Sequence, residues 1–80
     1  MFKPDTEMIS DMQHALAWPK QYRNYYCANV LSLSYSNWMM LVDHGYAIGG
    51  AFINDQRDRY FHVTSKGINF LSGVEQNGNR

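Results

Sequence analysis

A small α+β domain is the fold class predicted by this sequence, and three observations carry the prediction. Apolar residues recur at helical spacing from Met8 to Leu16. Immediately after Gly45 the pattern changes from helical to alternating. The alternating stretch then runs straight into a capped helical segment at Thr64 or Ser65. Eighty residues make one domain with one modest core, since a chain this short buries only about 60% of its unfolded surface. Residues 1–73 are assigned to that domain, and residues 74–80, which lack an apolar period, to a flexible C-terminal tail.

The first helix begins near Asp5 or Thr6, where a capping side chain precedes the acids Glu7 and Asp11 at the positive end of the helix dipole. Met8, Ile9, Met12, Ala15 and Leu16 form its inward stripe, and Trp18-Pro19 ends it, because proline disfavours helical geometry in the residue before it. Tyr22 to Ala28 reads either as a short helix or as an extended aromatic segment. A short helix is preferred. The third helix is capped by Ser34 or Ser36, carries Trp38, Met39, Leu41 and Val42, and stops at Gly45. "YAIGGAFI" and "YFHV" are the two strands of a hairpin with the charged tip "NDQRDR", and Gly49-Gly50 marks a bulge. A short last helix carries Ile68, Phe70 and Leu71, with Gly67 allowing a close approach. Phe61, Val63, Ile68 and Leu71 are expected to form the seam between hairpin and last helix.

Composition excludes more than it assigns. Seven Lys and Arg balance seven Asp and Glu, which removes the long-range positive field of a generic nucleic-acid binder. A single cysteine, Cys27, permits neither an internal disulfide nor a cysteine-rich zinc site. A reducing, cytoplasmic setting is the expectation, reinforced by the lack of a signal-peptide pattern or of any apolar run near the ~18 residues of a membrane span. No metal, cofactor or catalytic residue is predicted. His14, His44 and His62 fall on different elements, and Asp43 and His44 point about 100° apart on a helix and form no relay. Cys27 reads as a small buried thiol.

The element order, three N-terminal helices, a hairpin and a short C-terminal helix, resembles a winged-helix domain with the hairpin as its wing. "LVDHGYAIGG" followed by "RDRYFHVTSKGINFL" is similar to the end of the recognition helix, wing and return of winged-helix transcriptional regulators, from Leu41 to Leu71. Over Tyr22 to Gly67, "YRNYYCAN", "LVDHGYA" and "NDQRDRYFHVTSKG" together resemble small phage and prophage proteins of uncharacterised activity. That resemblance implies a mobile-element origin rather than a reaction. Ser65 and Lys66 stand where an acidic residue often begins the last helix of the pattern.

The candidate recognition helix would display Ser36, Asn37, Met40, Asp43 and His44, a face with an acid and no Lys or Arg. Arg57 and Arg59 alternate and so share one side of the wing, but Asp55 and Asp58 offset much of their field. An outward Met40 beside small polar groups suits an adaptable protein interface. Six tyrosines exceed what so small a core can enclose, so some must be displayed. The expected partner-binding residues are therefore Arg23, Tyr25, Asn37, Met40, His44, Arg57, Arg59 and Tyr60. The expected partner is a host protein or protein–nucleic acid complex, with DNA the alternative and no membrane, bound by a monomer or homodimer. Short, single-domain, non-enzymatic inhibitors of host defence such as anti-CRISPR proteins share this profile.

Overall fold

Asp5 sits in extended geometry and its carboxylate accepts from the Met8 amide at 2.9 Å, so α1 (Thr6–Leu16) starts where an orphan amide is capped. The computed structural model describes residues 1–78, with side chains through Val74. Met8, Met12, Ala15 and Leu16 line the buried side of α1 as predicted, while Ile9 is half-buried. Ala17 takes a left-handed conformation, φ 54°, and the Trp18 amide folds back onto the Gln13 carbonyl at 2.9 Å, closing the helix just before Pro19.

The preferred short helix over Tyr22 to Ala28 is not formed. Tyr26–Asn29 is extended as β1 and pairs antiparallel with β3 (Asp58–Val63), setting Tyr26 opposite Phe61 and Asn29 opposite Asp58. Three helices, not four, therefore occur among the described residues, two of them before the hairpin. The cap of α2 (Leu33–Asp43) is Ser32 rather than Ser34 or Ser36: its hydroxyl donates to the Asn29 carbonyl at 2.7 Å and accepts from the Tyr35 amide at 3.1 Å. Leu41 and Trp38 are buried, Val42 is half-buried, and the chain leaves α2 through Gly45 at φ 83°.

β2 (Ala47–Ile53) pairs antiparallel with β3, and the register shifts between Gly49 and Phe52, the bulge expected at the glycine pair. A Cβ on Gly49 would collide with the Arg59 guanidinium. The tip is shorter than "NDQRDR", since Asp58 and Arg59 already belong to β3; Asn54, Asp55 and Gln56 turn the chain with φ of 53°, 57° and 66°. The sheet order is β1-β3-β2. Thr64 then accepts from the Gly67 amide at 3.3 Å and starts α3 (Ser65–Gly78). The segment expected as a tail is helical in its backbone as far as Gly78, and the last two residues of that assignment, Asn79 and Arg80, lie outside the described residues.

The result is an α+β fold with the core on one side of a three-stranded antiparallel sheet. Ala28, Ala47, Phe61 and Val63 point into it, joined by Trp38, Leu41 and Leu71. Trp38 stacks on Phe61 at 5.5 Å between ring centroids and leans on Tyr26 at 5.3 Å. The seam residues Phe61, Val63 and Leu71 are buried and Ile68 is half-buried. Gly67 is where α3 meets the sheet, because a Cβ there would stand 2.5 Å from Val63 Cγ1 and 2.6 Å from the Tyr46 carbonyl. Residues alternating with the inward ones, Cys27, Ile48, Tyr60 and His62, occupy the opposite face. Among the described residues no helix is long and apolar enough to cross a membrane.

Candidate functional site

The eight residues expected to bind a partner do not converge on one surface. Arg23, Tyr25 and Tyr60 come together beside β1. The Arg23 guanidinium lies 5.9 Å from the centre of the Tyr22 ring and 5.8 Å from that of Tyr25, and its Nη2 donates to the His14 carbonyl at 2.7 Å. Tyr25 meets Tyr60 edge to face at 6.2 Å. These contacts hold the rings outward rather than covering the core, and Tyr25 stays 51% exposed.

The α2 residues separate from one another. Met40 is outward and 43% exposed, as expected, while Trp38 is fully enclosed. Asn37, expected on the outward side, instead lies beside the Asp11 carboxylate of α1, as does Ser34. Burial nevertheless pushes the Asp11 carboxyl above its ordinary range, with the Glu7 charge adding and Asn37, Ser34 and His14 opposing. Its Oδ2 is buried with no hydrogen-bond partner among the described residues. His44 stacks flat on Phe2, centroids 4.0 Å apart and planes 1° from parallel, so its ring is engaged by the N-terminal segment.

Arg57 and Arg59, expected on one side of the wing, have different environments. Arg57 is exposed at the tip, 3.8 Å from Asp55. Arg59 turns inward: its Nε donates to the Gly50 carbonyl at 3.2 Å, its Nη1 reaches Met39 Sδ at 3.6 Å, and its guanidinium lies 4.6 Å from the Phe52 ring centre. The turn is the cause: β3 begins only at Asp58, so Arg57 still belongs to the turn made by the left-handed Asn54, Asp55 and Gln56, and strand alternation does not reach it.

Cys27 is exposed, not buried, because β1 presents it on the face away from the core. Partial loss of solvation, with the Asp58 charge adding, pushes its thiol above the ordinary range and keeps it protonated at neutral pH. Two clefts flank Tyr25. One, of about 310 Å³, is lined by His14, Arg23, Tyr25, Tyr26 and Cys27. The other, of about 420 Å³, is lined by Tyr25, Ala51, Tyr60 and His62.

Sequence reasoning missed Leu31 and Leu33, which are 93% and 78% exposed. The signal was available: the helical stripe through Trp38 and Leu41 continues back to Ser34 and excludes Leu33. His14 was also missed as a neighbour of Arg23, because the turn that joins α1 to β1 has no periodicity to read. Among the described residues no group of three or more His, Cys, Asp or Glu is placed to hold a metal ion. No family model, curated protein or solved structure matches this chain.

Proposed function

We propose that this chain is a non-enzymatic protein-binding module of winged-helix-like architecture, a phage or prophage accessory protein that occupies a surface of a host defence complex stoichiometrically. The single observation that carries the reading is the outward side of α2. Leu33 and Met40 lie two turns apart on it, both exposed, with Ser36 between them and Asp43 following. No Lys or Arg is present on that helix. An exposed apolar pair on a helix suits insertion into an apolar groove of another protein, whereas a duplex backbone needs several cations for counterion release.

DNA binding is the second reading, and the exposed Arg57 at the hairpin tip favours it. Its weight is limited by Asp55, whose carboxylate lies beside that same guanidinium.

Affinity capture from a host lysate, run beside anisotropy on random and genomic duplexes at about 0.15 M salt, tests the proposal. Capture of a defined host assembly that is lost on Met40→Glu or Leu33→Glu, with weak DNA retention unchanged, is the expected result. Tight duplex binding at that salt, lost on Arg57→Ala and indifferent to the α2 variants, overturns it in favour of a regulator.

A further inference from the structure

Arg23 is a half-buried guanidinium with no carboxylate partner among the described residues. Among the described residues its hydrogen bond runs from Nη2 to the His14 carbonyl, and its Nε is buried without a partner. Nε is enclosed and Nη2 is partly used, so Nη1 is the donor that meets no acceptor among the described residues and stays open to something outside the protein. The surroundings select what that can be. The cleft of about 310 Å³ onto which Arg23 faces is lined by no acid: His14 supplies ring nitrogens, Tyr25 and Tyr26 supply rings, and Cys27 supplies a neutral thiol. A guanidinium held by one edge, with its other Nη donors facing such a setting, is matched to an oxyanion, carboxylate or phosphate.

The second cleft fixes the rest of the occupant. It shares Tyr25 with the first and is walled by Tyr60, Ala51 and His62. His62 has its Nδ1 engaged by the Asn24 carbonyl at 2.7 Å, which leaves Nε2 as the free ring nitrogen. Gly50 keeps that edge uncovered, since a Cβ there would stand 2.9 Å from Nε2. An anion alone would use only the first cleft, while a flat apolar body attached to it would extend over Tyr25 against Tyr60.

We propose that the paired clefts beside β1 form a binding site for an aromatic group bearing one oxyanion, carboxylate or phosphate, with Arg23 as its anchor and Tyr25 and Tyr60 as its platform. None of the lining residues belongs to α2, so the site stands independently of the partner surface proposed above.

Nitrogen-15 NMR on the full chain tests it without any variant, by following the Arg23 Nε–Hε signal during titration with benzoate and with phenyl phosphate at fixed ionic strength. A saturable shift of that signal, accompanied by shifts at Tyr25 and Tyr60, is expected with at least one probe; which one responds tells carboxylate from phosphate. Acetate and inorganic phosphate should bind on the order of ten-fold more weakly, lacking the ring. Arg23→Gln should weaken binding on the order of ten-fold or more, and Arg23→Lys should recover part of it, as loss of a charge-assisted fork requires. Linear, unsaturated shifts with both probes, or binding by Arg23→Gln equal to that of the wild type, would overturn the assignment. Should Arg23→Gln lose its dispersed spectrum, the wild-type titration decides alone.

Discussion

The side chain of Asn24 pairs with both backbone groups of Val63, 39 residues away: Nδ2 donates to the Val63 carbonyl at 2.9 Å and Oδ1 accepts from the Val63 amide at 2.7 Å. A side-chain amide thus supplies the rung that would precede the start of β1, satisfying a buried strand residue where the ladder stops. Its own carbonyl meets His62 Nδ1, so one residue fixes two consecutive positions of β3.

Asn24→Ala should destabilise the protein by about 1–3 kcal/mol, the usual cost of leaving buried donors and acceptors unanswered. Asn24→Asp keeps the acceptor for the Val63 amide but loses the donor, and should fall between the two. Urea melts of the three proteins check the order; an Ala variant as stable as the wild type would mean that water replaces the amide without loss.

Asp11 sets an expectation for pH. Its folded carboxyl titrates above the ordinary value of 3.8, first because burial strips water from it. The folded state therefore holds this proton more tightly than the unfolded state, so the contribution is most favourable below pH 3.8 and is lost as pH rises through the raised folded value. Asp11→Asn should raise the melting temperature at pH 7, with the advantage shrinking as pH is lowered toward the acid range. Paired thermal melts at pH 4 and pH 7 measure it, and an advantage that grows on acidification would reverse the sign.

The two arginines of the hairpin should behave differently in stability. Arg59→Ala removes a bond to Gly50 and the cover over Phe52, and should cost about 1–3 kcal/mol. Arg57→Ala removes an exposed pair with Asp55 and should change stability by no more than about 0.5 kcal/mol. Equal effects in denaturant melts would contradict the inward placement of Arg59.

What the sequence disclosed, and what it withheld, follows from the range of the interactions involved. The Asp5 cap, the Gly45 stop, the Gly49-Gly50 bulge and the close approach at Gly67 are set by neighbours or by the special geometry of glycine, and all were legible. β1 was not, because four residues of aromatic and small side chains carry no decisive period, and its pairing partners Asp58 to Phe61 lie some thirty residues downstream. The serine-rich "SLSYS" offers several equivalent caps; the turn that bonds Ser32 back to Asn29 chooses among them, and that turn exists only once β1 has ended. Trp38 and Met40 were separable by helical phase alone. The split between Arg57 and Arg59 was not, since the strand starts one residue later than the alternating pattern suggests and leaves Arg57 in the turn.

The sheet order β1-β3-β2 has a consequence for how the chain is made. The strand in the middle is the last of the three to be synthesised, so β1 has no neighbour to pair with until Asp58 to Phe61 exist. The hairpin of β2 and β3 closes a short loop and can assemble first, whereas β1 must close a much longer one. During translation, α1 and α2 therefore have only each other to pack against until the sheet that completes the core, made last, can join the N-terminal half of the chain.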